Sequence, residues 1–502
     1  MTGLLASRFW MTMVVWLSLF CGCTLAVGQT RDALRQHNRA QELVRTGRPL
    51  EAIPIYEQLL RDSPGNPTLL VNLAVAHFKG AQYEATISVC RSALNSSPQL
   101  AAAWLFLGAS YCQLQQPAKA IEPLTRAVEL QPAERNARLM LGESLFATNR
   151  FSDASPHLEM ASQLIPQSPR VWYTMERNYR ALATEAESEL EKRSRDSAWW
   201  HALAGDAAFR RRRYGLALLH YREALQHQPD IPGMHASIAS LYRATEHAPW
   251  ALKEEQLESR QNCTEETPRC AFRNGSYGEC LKLAGSSDSG EGLYWRAKAS
   301  RQLATAASLK LAALPPSAQL HALRARDLDE LAQHREAILE WRRALKLSPA
   351  DPRIERDLAV SLLKAGNHAS ALGLLEKLLE RQPDSAELQL LCGSAYLTLG
   401  QPREALPYLR RAVELEPGSR SAQGAFGEAL VRTAQYEAAI SPLQAALAED
   451  PAGTRHFQLA LAYRATGQRD LEKRTLAVYR RLAAETLMVQ EELDREYPIT
   501  PP

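Results

Sequence analysis

Proline recurs at a fixed step along this chain. Pro64, Pro98, Pro132 and Pro166 stand 34 residues apart, and so do Pro315, Pro349, Pro383, Pro417 and Pro451. Between successive prolines the apolar residues keep helical spacing, with one break in mid-period. In residues 101–132, Trp104, Leu107, Gly108 and Tyr111 fall at i, i+3, i+4 and i+7 of one helix. Gln115-Gln116-Pro117 interrupts the pattern, Ala120, Leu124 and Ala127 resume it on a second helix, and Pro132 stops it. Each period therefore predicts a hairpin of two short helices. Small residues stand where the two must approach closely: Gly108 on the first, Ala120 and Ala127 on the second. One hairpin of this size cannot bury its own apolar sides, so neighbours must supply the cover. The expected fold class is all-α, an α-solenoid of stacked hairpins. Length alone would suggest several globular domains, but a solenoid grows without starting a new core.

These residues resemble the repeat of the tetratricopeptide (TPR) family, W-x2-L-G-x2-Y…A-x3-F…A…P, with Leu124 in place of Phe. The small first-helix position recurs as Ala74, Gly142, Gly205, Ala359, Gly393 and Gly427. The small second-helix position recurs as Ala52, Ala154, Ala217, Ala337, Ala371, Ala405 and Ala439. The resemblance extends over roughly residues 33–485. It implies a right-handed superhelix whose concave face is lined by first helices and binds a peptide or helix of a partner protein. The family's groove positions map onto Thr68, Val71, Val75, Phe78 and Lys79, then Leu105 and Ala109, then Leu139, Glu143 and Phe146. That set is largely apolar, and a contiguous exposed apolar strip marks a binding surface. The family's clamp for carboxylate-ended peptides is not reproduced. Asn72 fits it, but His37, Gln41, Ala102 and Phe106 stand at its other positions.

The order of segments follows. Residues 1–28 read as a signal peptide: Arg8, a 12-residue apolar run from Phe9 to Phe20, and Ala26-Val27-Gly28 as a small-x-small cleavage site between Gly28 and Gln29. The run is shorter than the ~20 residues that span a bilayer. The expectation is export to the periplasm or beyond. The alternative is a lipoprotein anchored at Cys23, the only route to membrane association that the sequence offers. Residues 29–168 make an N-terminal array of four repeats. Residues 169–261 hold short and divergent repeats, and residues 262–292 form an irregular Cys/Gly/Ser-rich segment. Residues 293–485 make a C-terminal array, and 486–502 a capping helix end with a disordered tail. Between Trp172 and Arg193 there is neither Gly nor Pro, so the two helices of that repeat either turn tightly at Leu182-Ala183-Thr184 or merge. The same tripeptide returns as Leu303-Ala304-Thr305.

Chemistry-bearing motifs are few. Nucleophile-elbow, zinc-protease, phosphate-loop and C-x-x-C patterns do not occur, so no catalytic residue, metal site or cofactor is expected. His220 and His227 lie two turns apart on one helix, about 10 Å by helix rise, too far for one ion without other ligands. Arg210–Arg213 sit where a first helix ends, where cations complement its dipole. Lys+Arg 59 against Asp+Glu 56 is too balanced to indicate nucleic acid. Cys90 and Cys392 fall on core stripes. Cys263, Cys270 and Cys280 cluster in the irregular segment, where an oxidising compartment would allow a bridge. Cys263–Cys270 is the favoured pair, with pairing through Cys280 or no bridge as alternatives. The expected function is a non-catalytic scaffold or adaptor in the cell envelope; the alternatives are a lipid-anchored envelope assembly or secretion factor, and an enzyme with its site in residues 262–292.

Overall fold

A computed structural model describes residues 31–259, 267–285, 289–349, 351–495 and 497–502. The signal segment, the cleavage site at Gly28 and Gln29, Cys23 and Cys263 lie outside these residues. Among the described residues there are 26 α-helices and no strand. They form two compact units: Met1–Ala186 with Arg296–Lys310, and Glu187–Trp295 with Leu311–Pro502.

The first unit contains four helical hairpins: α1 (Arg31–Arg45) with α2 (Pro49–Asp62), α3 (Pro67–Lys79) with α4 (Tyr83–Ser96), α5 (Ala101–Gln113) with α6 (Pro117–Leu130), and α7 (Arg135–Ala147) with α8 (Phe151–Leu164). Proline opens α2, α3 and α6, at the one helical turn where its missing N–H costs nothing. Each hairpin turns through one left-handed residue. It is Gly47 in the first, but Ala81, Gln115 and Asn149 in the next three. The tight turn is thus held by packing rather than by glycine, since an L-residue in that region costs roughly 1–2 kcal/mol.

Close approach explains the small first-helix position. A Cβ on Gly108 would lie 2.5 Å from Leu124 Cγ, and one on Gly142 would lie 2.6 Å from Leu158 Cδ2. The core is continuous rather than modular. One buried cluster combines Ala40 and Val44 of α1, Ala52 and Tyr56 of α2, and Leu69 and Leu73 of α3. Second helices pack on the following first helix, and first helices also touch the next first helix: α1 on α3, α3 on α5, α5 on α7. This is the nearest-neighbour arrangement that a solenoid requires.

The repeat at 169–194 resolves one open reading: α9 (Pro169–Ser194) is a single helix, so its two halves merge. Without Gly or Pro nothing breaks the backbone ladder. Residues 290–312 repeat the device as α16 (Gly290–Ala312), with Leu303-Ala304-Thr305 in its middle.

In the second unit the hairpins are α10 (Ala198–Arg210) with α11 (Tyr214–His227) and α12 (Met234–Ala244) with α13 (Ala248–Ser259). The segment expected to be irregular contains a small hairpin, α14 (Pro268–Arg273) against α15 (Tyr277–Ala284), with Cys270 and Cys280 buried on its two helices. Thr267 caps α14 by accepting from the Cys270 amide, and this local order is what the Cys- and Gly-rich composition concealed. Burial pushes the Cys280 thiol up to about 12. The favoured bridge cannot be placed, because Cys263 lies outside the described residues.

Four regular hairpins follow: α17 (Ala318–Glu330) with α18 (His334–Leu347), α19 (Pro352–Lys364) with α20 (His368–Arg381), α21 (Ala386–Thr398) with α22 (Pro402–Leu415), and α23 (Arg420–Arg432) with α24 (Tyr436–Ala446). Ser317, Ser385 and Ser419 cap first helices by accepting a backbone N–H three residues on. Cores again mix three consecutive helices, as in Ala359, Leu375 and Leu388. Cys90 and Cys392 are fully buried, as their stripe positions indicated. The chain ends with α25 (Thr454–Ala465), the long α26 (Arg469–Asp494), and a final extended segment expected to be disordered that instead lies against α11 and α12. No helix among the described residues is long and apolar enough to cross a membrane.

Candidate functional site

The groove positions of the first unit divide by burial. Thr68 is exposed. Val71, Val75, Lys79, Glu143 and Phe146 are half-buried. Phe78, Leu105, Ala109 and Leu139 are buried. The expected apolar strip is therefore narrower than the ten positions suggested. Phe78 explains part of the difference: its ring packs edge-on against Phe106 of α5 at 5.4 Å and against Tyr83 of α4 at 5.6 Å. First helices that touch each other consume the apolar side chains between them. What stays accessible is the Val71–Val75 ridge on α3, one turn apart, and Phe146 on α7.

Polar neighbours frame this surface. Lys79 Nζ donates to the Val44 carbonyl at 3.3 Å, and burial lowers its pKa. Glu143 accepts both arms of the Arg170 guanidinium, which reaches across from α9. The Arg177 guanidinium stands 4.7 Å from the Phe146 ring centroid, within cation–π range. Asn72, between the two valines in sequence, has a buried amide nitrogen with no hydrogen-bond partner. A buried unsatisfied donor costs roughly 1–3 kcal/mol, so this amide is the polar group on α3 that would gain most from an acceptor.

His37 sits at the start of the stack. Its ring meets Tyr56 edge-on at 6.0 Å, and its Nδ1 is buried without a partner. Burial lowers the His37 pKa from 6.5. On acidification the unfolded chain therefore takes up the proton first, and this contribution to stability is complete above pH 6.5 and is lost as pH falls through the depressed folded-state value. Thermal unfolding of the wild type should show a lower midpoint at about pH 5.5 than at about pH 7.5, with the drop smaller in His37→Phe. Equal drops in both proteins would remove His37 from the account.

The second unit adds a cluster that sequence spacing missed. His220 and His227 do not face each other alone: His201 of α10 comes between them. Its ring stacks on His227 at 5.5 Å, and its Nδ1 lies 3.1 Å from both His220 Nδ1 and Glu223 Oε2. His201, His220 and Glu223 place one donor atom each within 4.8 Å of one another. Two imidazoles and a carboxylate suit a borderline divalent cation such as zinc. Burial lowers the His201 pKa, with Glu223 acting in the opposite sense. The signal for this group was the pairing of α10 with α11, which brings residues nineteen apart together; spacing along one helix could not reveal it. Of the arginine run, Arg210 pairs with Glu187 at 3.4 Å and Arg212 takes the left-handed turn position. In the later array Arg356 lies beside Asp357 and 3.5 Å from Glu387, so these three charges offset one another.

The comparisons agree with this architecture. Two family models, both described as tetratricopeptide repeat, match residues 292–487 and residues 43–105 and 112–177. No curated protein matches the chain. Among solved structures, YrrB, described as a TPR protein with an unusual peptide-binding site, is 20% identical, covering 40% of this chain and 88% of its own, with a TM-score of 0.28. A tetratricopeptide repeat protein from Parabacteroides merdae is 12% identical over 66% of this chain and 100% of its own, with a TM-score of 0.33. One chain of the crystal structure of the APC/C hetero-tetramer Cut9–Hcn1 is 15% identical over 93% of this chain and 97% of its own, also with a TM-score of 0.33. Matched by these models over more than half its length and built of helical hairpins on a 34-residue period, the chain belongs to the tetratricopeptide repeat family.

Proposed function

We propose that this protein is a non-catalytic interaction scaffold of the cell envelope that binds a peptide or helix of a partner along the first helices of its N-terminal array. The observation that carries the reading is the α3 surface: Val71 and Val75 are half-buried one turn apart, at first-helix positions that line the groove. A partly accessible apolar ridge suits a peptide or helix that buries an apolar side chain against it. Glu143 and Lys79 are engaged by the fold itself, so charge contributes little to recognition here.

The test is a full-length double variant, Val71→Asp with Val75→Asp. Both positions are half-buried, and Val75 also packs against the core of the first hairpins, so the single variant Val71→Asp is the control that spares that core; Phe78 is unsuitable because it is buried. Affinity purification from envelope extract should lose the partners that the wild type retains, at unchanged helix content. An identical set of partners would contradict groove binding. Export rests on Arg8, the apolar run and Ala26-Val27-Gly28. Sequencing the mature N-terminus should give Gln29; a lipid-modified Cys23 would replace soluble export with anchoring.

A further inference from the structure

The chain ends Tyr497-Pro498-Ile499-Thr500-Pro501-Pro502. Three prolines in six residues exclude a helix and favour an extended polyproline-like backbone. This segment crosses α11 and α12. Arg222 of α11 donates through Nη1 to Thr500 Oγ1, and through Nη2 to the carbonyls of Thr500 at 2.9 Å and Pro501 at 2.7 Å. Tyr242 of α12 donates its hydroxyl to the Thr500 carbonyl at 2.8 Å. Arg222 Nη2 is also 3.3 Å from the Tyr242 hydroxyl, so the two receptor groups hold each other in place.

At the other end of the segment, the Tyr497 main chain runs over Gly215, where any Cβ would collide with the Tyr497 carbonyl. Gly215 is the second residue of α11. The second residues of the corresponding helices α2, α4, α6, α8 and α18 are Leu50, Glu84, Ala118, Ser152 and Arg335. Among second helices glycine holds this position here and, as Gly278, in α15, where a Cβ would meet nothing within 4 Å; only at Gly215 does the backbone of another segment need the space.

The contacts read carbonyl oxygens of a stretch poor in N–H groups. Donors on the receptor and a pre-extended, acceptor-rich ligand are the complementarity used in polyproline recognition. We propose that Gly215, Arg222 and Tyr242 form a docking notch for extended proline-rich peptides, with residues 497–502 as its resident ligand that competes in cis with any partner segment of the same chemistry. The notch is separate from the N-terminal groove and does not depend on it.

The probe is a fluorescent peptide of sequence Tyr-Pro-Ile-Thr-Pro-Pro with an amidated end, followed by anisotropy against full-length proteins. In Thr500→Lys/Pro501→Gly an ammonium faces the Arg222 guanidinium and the backbone loses its pre-extension, so the tail should leave. A tethered competitor acts at high effective concentration, and the peptide should bind this variant at least roughly tenfold more tightly than the wild type. Adding Arg222→Gln should abolish the gain at unchanged helix content. A peptide with alanine at all three prolines should bind more weakly. Binding no tighter to the tail variant than to the wild type, or unaffected by Arg222→Gln, would overturn the proposal.

Discussion

Replacing Trp341 by alanine is expected to lower stability by about 3–5 kcal/mol, the cost of emptying a buried tryptophan site. Trp341 lies on α18 and is almost wholly buried. Its Nε1 donates to Asp329 of α17 at 3.2 Å, and the same carboxylate accepts from Ser361 of α19 and lies 2.9 Å from His334 Nδ1. One residue thus joins packing to a polar node tying three successive helices. Trp341→Phe separates the two parts. The ring volume is largely restored and one hydrogen bond is lost, so about 1 kcal/mol of destabilisation should remain. Denaturant midpoints of the two variants decide the matter. Equal losses would mean that the indole N–H, rather than packing, carries the effect.

The second large effect is at Leu124, which is fully buried on α6 beneath Gly108. Leu124→Ala should cost about 2–5 kcal/mol. Gly108→Ala alone should also destabilise, by about 1–3 kcal/mol of overpacking, although alanine is the better helix former. Combined, the two should not add. With the leucine branch removed, the methyl at 108 has room and fills part of the cavity, so the double variant should be more stable than Leu124→Ala alone. A strictly additive double variant would show that the two side chains do not meet, and the close approach of hairpin helices would lose its support.

Much of this architecture was legible in the residues, because the forces that define a hairpin are local. Proline at N1 or after the last turn, glycine under a branched residue, and apolar positions one turn apart all act within one period, as at Gly108, Leu124 and Pro132. What was hidden depends on contacts between periods. The burial of Phe78 comes from Phe106 in the next hairpin. The cluster of His201, His220 and Glu223 comes from pairing two helices. The merger within α9 was left open by the absence of any breaker between Trp172 and Arg193, a condition that permits one helix without requiring it. The tail looked featureless because its partners, Arg222 and Tyr242, lie more than two hundred residues away in sequence. Gly215 near the start of a helix did not mark the site either, since Gly278 holds the same place in α15 with open space around it.

Amide hydrogen exchange on the full-length Leu124→Ala protein addresses the stack itself. In a structure held by nearest-neighbour contacts, the loss should centre on α5 and α6 and fade through α3, α4, α7 and α8, leaving protection across residues 318–465 unchanged. A uniform loss of protection from 31 to 465 would show a single cooperative globule and contradict an architecture of stacked hairpins.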